Sequence, residues 1–209
     1  MANCDIGILK MPMGNLRSAW NAIHESGFDP RFVDADDDFD NLSHLVVPGV
    51  GNFSAVMHHL EDNGLVERLR DYARSGRPLM GICAGMQLLA REGSEGGITA
   101  GLRLVDAHVV RLPEAKGLPL PHVGWSPVRF RFVHPLVEGI KPNCDYYFVH
   151  SYAMLAEQAD ECLGESEYGI PFVSIVAKGN VVGCQFHPEK SQANGLRMIE
   201  NFCSWNGQC

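Results

Sequence analysis

Five residues carry the densest chemistry in this sequence: Gly81-Ile82-Cys83-Ala84-Gly85. An apolar run, Pro78-Leu79-Met80, precedes them, and a helical pattern, Met86-Gln87-Leu88-Leu89, follows. A cysteine between glycines at a strand-to-helix turn is the thiol version of a nucleophile elbow. Such a turn holds the cysteine backbone in a strained conformation, and side chains in place of the glycines would collide beside it. The sulfur then stands above the sheet. The N-terminus of the following helix favours its thiolate form, and the Ala84 N–H points to where an oxyanion would develop. The competing reading is a buried cysteine between two packing glycines.

A thiol nucleophile needs a base, and sequence proximity does not choose among nine histidines. His187 is set apart by Cys184-Gln185-Phe186-His187-Pro188-Glu189, at the end of an apolar strand. Open α/β sheets bind their ligands at such carboxyl ends. Glu189 can accept the imidazole N–H and fix its tautomer, and Pro188 stiffens the spacing. A third segment, Pro48-Gly49-Val50-Gly51-Asn52-Phe53, follows another apolar run. Its glycines leave backbone N–H groups open to a ligand, with the Val50 N–H as second oxyanion donor. The alternative is a plain strand-ending turn.

The elements that must hold these residues alternate in the first half of the chain. Strands are expected at residues 6–9, 31–33, 44–47 (stopped by Pro48-Gly49) and 78–82. Helices are expected from Gly14-Asn15 to about residue 26, with Gly27 as C-cap, and at 53–60 and 65–73. That rhythm predicts a parallel sheet covered by helices on both faces. The second half reads as strands at 105–112, 126–133, 146–149, 172–177 and 181–186, the last two joined by Lys178-Gly179-Asn180 as an antiparallel hairpin. A helix at 194–205 closes the chain, with Leu196, Ile199 and Phe202 inward.

At 209 residues the chain suits a single domain over 1–209 with a sizeable core. Its net charge of −8, from 17 basic and 25 acidic residues, argues against a nucleic-acid footprint. No apolar run approaches the ~20 residues of a membrane span, and Met1 to Lys10 lacks the pattern of a secretory signal. Seven scattered cysteines (4, 83, 144, 162, 184, 203 and 209), with no C-x-x-C pair, fit reduced thiols in a cytoplasm better than disulfides or zinc. The acidic run Asp34-Ala35-Asp36-Asp37-Asp38 reads as a solvated loop rather than a metal site. His24, His58 and His59 read as surface residues, and Met57, Met154 and Met198 as packing.

Taken together, these motifs resemble the class I, triad-type glutamine amidotransferases. The resemblance also rests on Met13-Gly14-Asn15-Leu16-Arg17-Ser18, Pro121-His122-Val123-Gly124-Trp125, Tyr147-Phe148-Val149-His150-Ser151-Tyr152 and Gln185 to Ser191, so it covers nearly the whole chain. More narrowly, the segments are similar to the glutaminase subunits of imidazole glycerol phosphate synthases, which serve histidine biosynthesis. The resemblance implies a three-layer, flavodoxin-like α/β fold, mostly parallel, with antiparallel strands in the second half. It implies a Cys83–His187–Glu189 triad and glutamine held at Gly49, Gly51, Gln87, Ser151 and Tyr152, with Glu95 on its amino group. It implies no metal or organic cofactor. It further implies a separate (β/α)8 barrel cyclase as partner, to which ammonia passes without release to solvent.

Two departures stand out. Lys10-Met11-Pro12 replaces the Asp-Tyr-Gly usual in such relatives, and Ala84 replaces a usual leucine. The first leaves open a paralogous glutaminase that feeds another synthase, such as one forming an amidine on a surface sugar. A cysteine hydrolase acting alone would share the elbow and the histidine but would not need Gln87 or the Pro48–Gly51 turn. A silent binding subunit would not need an intact triad.

Overall fold

The computed structural model describes residues 4–11, 14–114 and 117–208. Met1 to Asn3, Pro12, Met13 and Cys209, which figure in the readings above, lie outside the described residues. In chain order the elements are β1 (Ile6–Leu9), α1 (Leu16–Glu25), β2 (Pro30–Val33), β3 (His44–Gly49), α2 (Phe53–Asp62), α3 (Leu65–Arg74), β4 (Leu79–Cys83) and α4 (Ala84–Gln87). Two very short strands follow, β5 (Glu92–Gly93) and β6 (Thr99–Ala100), then β7 (Ala107–Arg111), β8 (His122–Phe130), β9 (Cys144–His150) and β10 (Tyr152–Ala156). β11 (Cys162–Tyr168), β12 (Ile170–Lys178), β13 (Val181–Cys184) and α5 (Gln192–Ser204) complete the described chain.

The strands join in the order β2-β1-β3-β4-β13-β12-β10-β7-β5-β6. β2 through β13 run parallel along that path. From β13 onward the pairings with β12, β10 and β7 are antiparallel. β11, β8 and β9 continue as an antiparallel branch from β12. Parallel strands buried on both faces read as continuous apolar runs, and β3 shows why. Leu45 and Val47 point into one apolar cluster with Phe53, Met57, Leu60 and Leu69 from α2 and α3. Val46 points into the other, with Ala22, Ile23, Met198, Ile199 and Phe202 from α1 and α5. The three-layer α/β arrangement is therefore the observed one.

Three expectations need correction. β3 does not stop before Pro48: Pro48 and Gly49 pair with Ile82 and Cys83 of β4. β1 registers only as far as Val46, so the end of β3 is paired on one side, where a residue without an N–H is tolerated. The helix after Cys83 is a single turn, α4, rather than a longer segment through Leu89, so its dipole is short. Finally, β10 and β11 are strands beyond those expected: β10 borrows its conformation from long-range pairing with β7, while β11 forms a tight antiparallel hairpin with β12 and also meets β8. The acidic run at 34–38 lies outside any helix or strand, with Asp34 tied to Lys10 at 2.7 Å. Among the described residues no helix is long and apolar enough to cross a membrane.

Candidate active site

Three neighbouring parallel strands deliver the motif residues to one edge. Gly49 at the end of β3 pairs with Cys83 at the end of β4, and Ile82 of β4 pairs with Cys184 at the end of β13. Since parallel strands share a direction, the segment from Val50, the nucleophile turn and the segment from Gln185 all emerge at the same carboxyl edge. Cys83 itself has φ 55° and ψ −113°, a left-handed conformation that costs a non-glycine residue of order 1–3 kcal/mol. The flanking glycines explain how it is held. A Cβ on Gly85 would come within 1.8 Å of the Val47 carbonyl oxygen, and one on Gly81 within 2.5 Å of the Gly85 oxygen. Only bare backbone lets α4 lie this close to β3 and β4.

A cavity of about 410 Å³ opens at this edge, within the usual range for small-molecule sites. Cys83, Ala84 and Gln87 line it from the elbow; Val50 and Gly51 from the β3 loop; Glu95, Ser151, Tyr152 and His187 from the remaining sides. Two expected site residues do not face it. Gly49 is buried, its Cα set against the Gly85 nitrogen, where a Cβ would stand 2.7 Å away; its part is to admit α4. Glu189 lies behind His187, its Oε1 2.8 Å from the imidazole Nδ1, and both side chains are 3% exposed.

That geometry sets the charge of His187. Burial alone would lower its pKa, but the Cys83 sulfur and the Glu189 carboxylate together push it up to about 9. Its Nε2 has no hydrogen-bond partner in the resting arrangement, which leaves it free to serve a reacting atom. The backbone is pinned as well: the His187 N–H donates to the Tyr147 carbonyl at 2.9 Å, and Ser191 Oγ donates to the His187 carbonyl at 2.7 Å. Glu95 has a second attachment, accepting the Phe53 N–H at 2.9 Å. With Asn52, which accepts the Ala55 N–H, it caps α2 beside the Val50–Gly51 loop.

Sequence reasoning gave no role to Gln185 or His150. Gln185 is fully buried; its Oε1 accepts from Gln87 Nε2 at 2.9 Å, and its own Nε2 lies 3.8 Å from the Cys83 sulfur. The signal was a polar residue inside the apolar run 181–186. His150 lines the cavity beside Ser151; its place in the Tyr147–Tyr152 segment marks it, but assigns it no chemistry of its own. Among the described residues no group of three or more His, Cys, Asp or Glu side chains is placed to hold a metal ion.

Comparisons with known proteins identify the family to which the chain belongs. The family model described as glutamine amidotransferase class-I matches residues 13–205. The imidazole glycerol phosphate synthase subunit HisH of Desulfitobacterium hafniense (strain DSM 10664 / DCB-2) is 40% identical over 200 residues, spanning 96% of this chain and 94% of the relative. The HisH subunit of Symbiobacterium thermophilum is 44% identical over 197 residues, 94% of this chain and 92% of that one. Among solved structures, PurLQS from Thermotoga maritima superposes with a TM-score of 0.76 at 16% identity, covering 96% of this chain and 97% of that chain. A glutamine amidotransferase from Thermotoga maritima gives 0.69 at 16%, covering 96% and 82%. At those identities the structural likeness speaks to the fold, while the family match and the sequence relatives speak to kinship. This chain belongs to the class I glutamine amidotransferases, and it is a glutaminase.

Proposed function

We propose that the chain is the glutaminase subunit of an imidazole glycerol phosphate synthase and that Cys83, His187 and Glu189 are its catalytic triad. The Cys83 thiolate attacks the side-chain amide carbon of glutamine, and the carbonyl electrons move onto oxygen. The Val50 and Ala84 N–H groups receive that oxyanion. His187, held as imidazolium by Glu189, gives its Nε2 proton to the departing nitrogen. The C–N bond breaks, leaving ammonia and a γ-glutamyl thioester. His187 then takes a proton from water, which displaces the thiolate and yields glutamate. Gly51, Gln87, Ser151 and Tyr152 hold the substrate, with Glu95 opposite its amino group. The single observation that carries this reading is the buried 2.8 Å contact between Glu189 and an imidazole whose other nitrogen has no hydrogen-bond partner, in a residue that lines the same cavity as Cys83.

The partner is a (β/α)8 cyclase that consumes the ammonia to make imidazole glycerol phosphate and aminoimidazole carboxamide ribotide. Ammonia entering bulk water at neutral pH would be protonated and lose its nucleophilic lone pair, so a closed interface has a chemical purpose. Supporting a docking face, Ile98, Val123 and Trp125 are 81%, 56% and 47% exposed. They stand near cavity-lining Glu95 and Pro121 in the chain. Trp125 meets Tyr147 with ring centroids 6.0 Å apart, and the Lys190 ammonium lies 5.9 Å from the Tyr147 ring. Substrate on the cyclase would favour the orientation of the Pro48–Gly51 backbone that completes the oxyanion hole. One donor is worth about 10²–10³ in rate.

A second reading keeps the triad and changes the partner. It is favoured by Lys10, exposed and paired with Asp34 at the carboxyl end of β1, on the same edge as Cys83. Glutamate release from glutamine separates the two. It is measured for the chain alone, then with the cyclase and its ribonucleotide ligand, with Cys83→Ala as control. Strong activation only in the full mixture, lost in Cys83→Ala, is expected. Turnover indifferent to the cyclase would transfer the assignment to the paralogue, and no turnover under any condition would remove the assigned roles altogether.

A further inference from the structure

Two buried histidines that the reaction does not use meet at the Ser151–Tyr152 wall of the cavity: His150, at the end of β9, lines it, and His122 on β8 backs His150. His122 is 3% exposed and His150 is 6%. Their nitrogens face each other: His122 Nδ1 is 3.1 Å from His150 Nε2. The outer nitrogens have partners too. His150 Nδ1 is 2.8 Å from the Tyr152 carbonyl oxygen, and His122 Nε2 is 2.9 Å from Ser126 Oγ.

With both rings neutral, these three contacts admit one arrangement of protons. A carbonyl oxygen only accepts, so His150 Nδ1 carries a hydrogen. With the ring neutral, its Nε2 is then an acceptor, and His122 Nδ1 must donate to it. His122 Nε2 is left as an acceptor, which the Ser126 hydroxyl fills. A proton added to the pair would place a charge in a buried cluster of aromatic side chains. Burial, reinforced for His150 by the neighbouring His122 and His187, accordingly lowers both rings to about 4. His122 is further clamped between aromatic faces, stacked on Tyr168 at 4.0 Å and Phe148 at 5.1 Å.

The chain of donors ends where it matters for the substrate. The Tyr152 carbonyl receives His150 from one side and Gln87 Nε2, at 2.8 Å, from the other. Gln87 spends its amide hydrogens on that carbonyl and on Gln185 Oε1. Its own Oε1 is left as an acceptor in a side chain that lines the cavity. We infer that His122 and His150 are positioning residues for glutamine: their ordered hydrogen bonds fix the Tyr152 peptide, and through it the Ser151–Tyr152 wall and the direction of the Gln87 amide. The inference rests on the proposal that this wall and Gln87 hold the substrate.

The test uses the full chain carrying Cys83→Ala, which binds glutamine without consuming it, in calorimetric titrations. His122→Phe keeps the aromatic stacking and donates nothing; His122→Asn keeps a donor near the Nδ1 position. The Phe variant is expected to weaken glutamine binding about tenfold, and the Asn variant to stay within about twofold of its parent. Ser126→Ala, at a half-buried site that leaves the rings in place, removes the donor to His122 Nε2, so that the His150 bond alone orients the ring, and is expected to weaken binding about threefold. Phe and Asn variants that bind alike would overturn the inference; should the Phe variant not fold, unchanged binding in Ser126→Ala would do so. Nitrogen-15 spectra of the histidines give a readout independent of the substrate: both rings are expected as the Nδ1–H tautomer, and an Nε2–H tautomer at His150 would overturn the inference by itself. If the parent binds no glutamine while the tautomers are as expected, the pocket assignment fails and the positioning role for glutamine fails with it.

Discussion

Two histidines line the same cavity, one held as the cation and the other neutral. His187 is 2% exposed and His150 is 6%, so burial works against the cationic form of each. At His187 a carboxylate 2.8 Å away and the Cys83 sulfur reverse the penalty, and the pKa rises to about 9. At His150 the partners are a carbonyl and a second imidazole, and the pKa falls to about 4. Burial favours the neutral ring at both positions and prevails at His150; at His187 the ionisable partners overturn it. One wall thereby holds a proton ready to move, while the other holds its protons in fixed places.

Replacing the mobile wall has the largest expected consequence. His187→Asn keeps a polar side chain but can neither accept nor return a proton at Nε2. Glutamate release should fall about 10⁴-fold or more, with the glutamine KM changed little. A steady-state assay on the activated protein measures this, and a loss of tenfold or less would place the proton carrier elsewhere.

Glu189→Gln asks whether the carboxylate is the source of the contrast. The amide can still hold the ring, but it no longer stabilises the imidazolium, and burial then acts on His187 as it does on His150. The rate should fall about 10²–10⁴-fold. The pH profile should move as well. In the unmodified protein kcat/KM should decline as pH rises through about 9, where His187 loses the proton that the leaving nitrogen needs. In the variant that decline should begin at distinctly lower pH. An alkaline limb that stays in place would mean that Glu189 does not set the charge of His187.

The two walls were unequally visible in the sequence. Cys83 and its glycines announce themselves because the elbow needs bare backbone at two fixed positions, and both contacts are present at Gly81 and Gly85. His187 could be selected by its place after an apolar strand, and β13 does end at Cys184 beside β4. These are local constraints written in adjacent residues. The other wall depends on residues brought together from β8, β9 and β10. His122 meets His150 because β8 and β9 pair in that register, and β10 is a strand because β7 lies alongside it over Tyr152–Ala156. No periodicity within ten residues encodes such a meeting. Gly49 shows a further use of a glycine beside a site: its bare Cα makes room for Gly85.

The contrast should also be measurable without substrate, as a small effect on stability at the two ends of the pH range. His187 has a folded pKa above its unfolded value of 6.5, so its contribution is complete below 6.5 and is lost as pH rises through about 9. His122 and His150 have folded pKa values below 6.5, so the unfolded chain binds more protons than the fold between about 4 and 6.5. Their contribution is complete above 6.5 and is lost as pH falls toward 4. Thermal melts from pH 4 to pH 10 should therefore show Glu189→Gln flattening only the alkaline decline and His122→Phe flattening only the acid one. His44 and His134, also lowered by burial, keep part of the acid decline in every variant. The diagnostic quantity is thus the difference in slope between a variant and its parent. Equal flattening of both limbs by either substitution would mean that the two walls titrate as one coupled group, and the division between a proton carrier and a fixed scaffold would have to be abandoned.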